Sequence, residues 1–130
     1  MKILLDTNAY SALKRGVKSA IYTVSLAEHI YLSMTVVGEL LYGFRVGSRE
    51  GENLKELNNF LDQSVVSLMG IDYEVCEVYA RLCKELRIQG TPIPTNDLWI
   101  AATAIRHNFT LLTNDQHFLK IKGLSLECIQ

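Results

Sequence analysis

The stretch Lys2-Ile3-Leu4-Leu5-Asp6-Thr7-Asn8, residues 2–8, decides the fold. Three aliphatic side chains in a row run straight into an aspartate, a threonine and an asparagine. A strand with one wet face alternates apolar and polar residues, whereas an unbroken apolar run marks a strand covered on both faces, as in a parallel sheet. The residues that stop this run are the kinds that cap helices and close turns. The reading is a buried strand that ends on a carboxylate.

Working outward, the same pattern recurs. Short β-favouring apolar runs stand at Lys2–Leu5, Ile30–Ser33, Val65–Leu68, Thr110–Thr113 and Leu124–Ile129, the first four continuous. Helical periodicity fills the intervals. Val36, Val37, Leu40, Leu41 and Phe44 form one stripe within 36–45. Leu54, Leu57 and Leu61 form another within 53–62. Val75, Cys76, Tyr79, Leu82, Cys83 and Leu86 form a longer one within 72–89. Gly90 closes that helix, and Thr91-Pro92-Ile93-Pro94 reads as a stiff extended connector. A further helix opens at Thr95 and runs to about His107, and 8–29 reads as two short helices broken near Gly16. Strands alternating with helices predict an α/β sandwich around a mainly parallel central sheet. With no repeat, low-complexity tract or linker, residues 1–130 are expected to form a single domain.

Composition narrows the function classes. Hydrophobic residues make up 48% and charged ones 21%, which excludes disorder for the chain as a whole. Lys plus Arg total 13 against 14 Asp plus Glu, a net charge of −1. Bulk charge thus advertises neither a polyanion binder nor a membrane-surface protein. Cys76, Cys83 and Cys128 include no CxxC pair and are read as reduced, mostly buried thiols, with no four-ligand zinc site. No apolar stretch has the length of a membrane span, and the first one is too short for a signal peptide. A cytoplasmic protein is expected.

The acids are more informative. In parallel α/β sheets, ligands sit beyond the carboxyl ends of the strands. Asp6 follows the first strand directly, and Asp115 lies two residues past Thr110–Thr113. Glu39 sits in the helix after Ile30–Ser33, and Asp97 in the first turn of the helix that leads into Thr110–Thr113. All four map to one edge. Singly, each has an ordinary role: Asp6 as a helix cap, Asp97 as a complement to a helix dipole, Glu39 as a solvated helix residue, Asp115 as a turn residue. Together they repel, and no neighbouring Lys or Arg offers a partner. A hard divalent cation with oxygen ligands, Mg²⁺ or Mn²⁺, is the direct way to hold them ionised, and it suits metal-assisted phosphodiester hydrolysis. Removing these four from the 14 acids leaves 10 against 13 basic residues, so the remaining surface is mildly positive. Thr7, Asn8, Asn96, Thr113 and Asn114 flank the acids as candidates to orient them, with capping as their ordinary alternative.

Four motifs in order, LLDTN at 4–8, TVVGELLYG at 35–43, TNDLWIAATA at 95–104 and LLTNDQHF at 111–118, resemble those of PIN-domain ribonucleases. The resemblance is closest to the VapC toxins of prokaryotic toxin–antitoxin pairs, and Ile121-Lys122-Gly123-Leu124 continues it. It covers nearly the whole chain. It implies a three-layer α/β/α fold and a Mg²⁺-dependent endoribonuclease, with Mn²⁺ as a substitute. Asp6, Glu39, Asp97 and Asp115 then form the acidic quartet, with Thr7 as an auxiliary polar ligand and Thr113 and Asn114 beside it. Water attack on the phosphodiester is expected, with one metal held by Asp6 and Asp97, and Glu39 and Asp115 completing the pocket. A 3′-hydroxyl and a 5′-phosphate at the cut follow from the resemblance, as do tRNA or rRNA as substrate classes. So do a homodimer and a cognate antitoxin whose tail sets an Arg or Lys against the acids.

The remaining residues are read more modestly. Trp99 is expected to pack against the fold or a partner rather than stack on a base. His107, at a helix end, is given no catalytic role, and His117, in reach of a substrate phosphate two residues past Asp115, is read as a surface residue. Lys14, Arg15, Lys18, Arg45 and Arg49 are candidate phosphate contacts near the carboxyl edge, solvated faces being the default. Tyr22, Tyr31, Leu41 and Tyr42 belong to a subunit or antitoxin surface or to the core. The apolar excess of Val36–Phe44 points to a groove or subunit contact. A haloacid-dehalogenase phosphatase would place a second Asp where Asn8 stands. A receiver domain would need paired acids near its first strand and a Lys after its last. Two alternatives stay open: a PIN-fold nuclease of RNA processing, and a catalytically silent PIN-like binding module.

Overall fold

The computed structural model covers residues 1–130. The chain builds β1 (Lys2–Leu5), α1 (Thr7–Lys14), α2 (Lys18–Ser25), β2 (His29–Ser33), α3 (Met34–Val46) and α4 (Glu50–Leu61). It continues through β3 (Val66–Met69), α5 (Tyr73–Gln89), α6 (Thr95–His107), β4 (Thr110–Thr113), a 3₁₀ turn at Gln116–Lys120 and β5 (Ser125–Cys128). The strands form one sheet in the order β3-β2-β1-β4-β5, every neighbouring pair parallel. The expected parallel α/β architecture is therefore present.

Strand order fixes the layers. From β1 the chain steps outward to β2 and β3, then returns across β1 to β4 and β5. Right-handed crossovers put α1 to α4 on one face and α5 with α6 on the other. Ring contacts agree: Tyr10 of α1 meets Phe60 of α4 edge-on at 5.4 Å, and Tyr79 of α5 stacks on Trp99 of α6 at 3.7 Å. Trp99 thus packs within the fold. The direction of travel reverses between β1 and β4, which makes their carboxyl ends the crevice where such sheets take ligands.

The central strands carry the core. Ile3, Leu4, Leu5, Leu32, Leu111 and Leu112 are fully buried, each worth about 1.5–3 kcal/mol of hydrophobic stabilisation. Two expectations need correction. The run at Val65–Leu68 is not covered on both faces: β3 is an edge strand, and of its residues only Val66 is buried. Nor are the thiols mostly buried, since Cys76 and Cys128 are exposed and Cys83 is half-buried. The buried face of α5 runs through Val75, Leu82 and Leu86, which leaves Cys76 beside it, and Cys128 lies on the other edge strand.

Local chemistry sets the helix ends. Gly16, at φ +78°, separates α1 from α2 in the left-handed turn that glycine adopts without strain. Gly90, at φ +72°, ends α5 the same way, its N–H donating to the Arg87 carbonyl. Ser33 caps α3 by accepting from the Val36 N–H at 3.2 Å, and Asp72 caps α5 by accepting from the Val75 N–H at 2.9 Å.

Candidate active site at the carboxyl edge of the sheet

Asp6 closes β1 and caps α1. Its Oδ1 accepts the Ala9 N–H at 2.7 Å, and its Oδ2 accepts the Thr113 hydroxyl from the end of β4. One carboxylate thus caps α1 and ties to the end of β4, one oxygen for each. The Thr113 hydroxyl in turn accepts the Asp115 N–H at 2.9 Å. This relay ties the ends of β1 and β4 together across the crevice where the sheet order reverses.

Glu39 reaches the same place from α3. Its Oε1 accepts the Thr7 hydroxyl at 2.6 Å and its Oε2 accepts the Asn96 amide at 3.3 Å, so α1, α3 and α6 meet on one carboxylate. Asp97, next to Asn96 in the first turn of α6, faces Asp115 across His117. His117 Nδ1 lies 3.1 Å from Asp115 Oδ1 and 3.7 Å from Asp97 Oδ2. Asp115 Oδ1 also accepts the His117 N–H at 2.9 Å, which holds the 3₁₀ turn and the ring in register.

The electrostatics record the crowding. Asp6 is 4% exposed, and its carboxyl is pushed up to about 6. Burial is the main cause, and the charges of Asp97 and Asp115 add to it against the lowering by Thr113 and Ala9. Asp97 is also raised, by burial first and then by Asp115 and Glu39, with His117 opposing. No Lys or Arg pairs with any of the four acids.

The structure brings Asp6, Glu39, Asp97 and Asp115 to this edge with Thr7 and Thr113 bonded to them. Asn114 is exposed and holds none of the acids. The basic candidates lie elsewhere in the bonding pattern. Arg45 pairs with Glu50 at 3.2 Å, Arg49 pairs with Glu52, and Lys14 lies over the Tyr10 and Phe60 rings. Arg15 and Lys18 sit beyond the far end of α1. His117, given only a surface role from sequence, stands among the acids. The only signal for it in the sequence is its place two residues after Asp115, since the ring contact depends on the 3₁₀ turn that the Asp115 cap closes.

The donors suit a hard divalent cation. Asp97, Asp115 and His117 each offer a ligand atom, all within 4.8 Å of one another. The buried Asp6 carboxylate beside them has no cationic side chain to neutralise it. Carboxylate oxygens are the donors that hard cations prefer, and one imidazole nitrogen stands beside them.

Set against known proteins, residues 3–124 match the PIN domain family. The chain is similar to Ribonuclease VapC1 of Rickettsia felis, 35% identical over 129 residues, covering 97% of this chain and 95% of that one. It is also similar to Ribonuclease VapC of Rickettsia bellii, 32% identical over 97% of this chain and 95% of that one. Among solved structures it resembles VapBC2 from Rickettsia felis bound to a DNA fragment from its promoter. That match has a TM-score of 0.89 and 31% identity, with both chains covered completely.

Proposed function

The chain belongs to the PIN-domain family, among the VapC ribonucleases, and from that membership we propose that it is a metal-dependent endoribonuclease, the toxin of a VapBC-type toxin–antitoxin pair. The observation that carries the reading is the set of four acids from four segments of chain, gathered at the reversal of strand order with no Lys or Arg paired to them. Residues 1–130 act in it as one PIN domain.

The residues divide the work. Asp97 and Asp6 would hold the cation, Asp115 and Glu39 would complete the pocket, and His117 stands beside Asp97 and Asp115. A divalent cation held there, Mg²⁺ or Mn²⁺, would supply a Lewis acid for the phosphate and make a water molecule more acidic. Thr113 keeps Asp6 in one orientation by donating to Oδ2, and the Ala9 N–H fixes its other oxygen. Thr7 and Asn96 do the same for Glu39, so neither of these two carboxylates has to reorganise when charge builds up on the phosphate. RNA is the substrate, with tRNA and rRNA as the candidate classes. The partner is an antitoxin whose tail lays a basic side chain across the acids, which would replace the cation and block the site in one event.

The reading is tested by expression without an antitoxin. The wild-type chain should arrest growth, and Asp6→Asn at a matched soluble level should not. Equal growth with both would favour a nuclease of ordinary RNA processing or a silent binding module.

A further inference from the structure

Beside the acids, on the exposed side of α3, lies a depression of about 420 Å³ lined by Met34, Thr35, Gly38, Glu39, Tyr42 and Asn96. Met34, Gly38 and Tyr42 follow at four-residue spacing and share one face of the helix. The flanking side chains are large and open to solvent, Met34 at 47% and Tyr42 at 71%. Between them Gly38 leaves a notch. A β-carbon there would meet nothing within 4 Å, so no packing inside this chain requires a glycine. Glycine in a helix interior nevertheless costs stability relative to alanine. The residue makes sense as space kept open for something outside the chain.

We propose that this notch seats one nucleobase of the RNA, the one adjoining the bond that is cut, between the Met34 thioether and the Tyr42 ring. The inference rests on the ribonuclease reading and names where that substrate is gripped. Three features select a base rather than a phosphate. The lining carries a carboxylate, Glu39, and no Lys or Arg, so an anion is repelled and a neutral ring is not. Met34 and Tyr42 sit about 12 Å apart along the helix axis, enough for a planar ring with a side chain on either side. An exposed aromatic face stacks on any base. The polar edge comes from Thr35 and Asn96. Asn96 spends one N–H on Glu39 and keeps its carbonyl oxygen and second N–H for a ligand. Distance from the chemistry is short: Glu39 belongs to both the notch and the acidic cluster, and Asn96 adjoins Asp97.

The experiment is a cycle between protein and substrate. A single-stranded RNA oligonucleotide whose cut has been mapped is made with an abasic residue at each position near the cut in turn. For the wild-type protein, one adjoining abasic position should raise KM by about tenfold. Tyr42→Ala and Gly38→Leu should each raise KM on the intact RNA by a similar factor and then be indifferent to that same abasic position. Additive penalties, or unchanged KM in both variants, would overturn the subsite. No cut by the wild-type protein on any RNA would instead overturn the nuclease reading beneath it. A Gly38→Leu protein that cuts RNA with wild-type KM but no longer binds its antitoxin would assign the notch to that protein and contradict the proposal.

Discussion

Asp6 concentrates the tension of the site in one side chain. It is buried and bonded through both oxygens, and its carboxyl stands at about 6 against the ordinary 3.8. A carboxyl that binds its proton more tightly when folded stabilises the fold fully below the unfolded value and loses that contribution as pH rises through the folded one. For the metal-free protein, ionising Asp6 between pH 4 and 6 should therefore cost about 3 kcal/mol. Denaturant unfolding in chelator tests this as the stability of Asp6→Asn minus that of wild type. The difference should grow from pH 4 to pH 7 in favour of the variant. A flat difference would mean that Asp6 is not strained by burial. At this scale the sequence is most legible where a residue follows directly on a strand. Asp6 and Thr7 lie at a strand end by their neighbours, although each acid taken singly also has an ordinary role. His117 could not be placed in this way, because its place depends on the Asp115 turn folding back on itself. Arg45 and Arg49 are solvated, the default reading for them, and their partners Glu50 and Glu52 come from a helix start that periodicity does not locate.

Helices and strands were read from pattern, and the errors follow from what a pattern omits. Periodicity placed a helix at 53–62, whereas α4 begins at Glu50 because polar first turns carry no apolar stripe. It took 65–68 as a strand buried on both faces, since strand order is a tertiary property and an edge strand can be as apolar as a central one. The ends of α5 and β4, by contrast, were fixed by Gly90 and by Asn114-Asp115, whose backbone preferences act locally. Two glycines separate the uses of that residue. Gly90 is in the left-handed region, so Gly90→Ala should lower stability by about 1 kcal/mol. Gly38 is helical with open space at its β-carbon, so Gly38→Ala should raise stability by about 0.5–1 kcal/mol. Thermal or denaturant unfolding of the two variants reads both signs, and a stabilised Gly90→Ala would contradict the account of how α5 ends.

For the molecule as a whole, strand order does the most. The reversal between β1 and β4 gathers acids from residues 6, 39, 97 and 115, and it could not be read from any one motif, only from the parallel sheet that the motifs together imply. The surface outside the site carries a second message. Ile21, Tyr22 and Leu26 on α2 and Leu41 and Val46 on α3 are all exposed. Large apolar side chains in that number favour coverage by another chain. A homodimer is expected, and light scattering on the eluted protein at micromolar concentration should give twice the chain mass. A monomer persisting at high concentration would contradict it. No helix is long and apolar enough to cross a membrane.

The central claim is that the acidic edge is a divalent-metal site for cutting RNA, and cleavage with end analysis tests it most directly. Purified wild-type protein in Mg²⁺ should cut RNA internally and leave a 5′-phosphate and a 3′-hydroxyl. Chelator should stop the reaction, and added Mg²⁺ or Mn²⁺ should restore it. Asp97→Asn, folded to the same spectrum, should cut slower by roughly a thousandfold or more, the several kcal/mol that a metal supplies to such a reaction. Undiminished cleavage in chelator, or full activity of Asp97→Asn, would contradict the account.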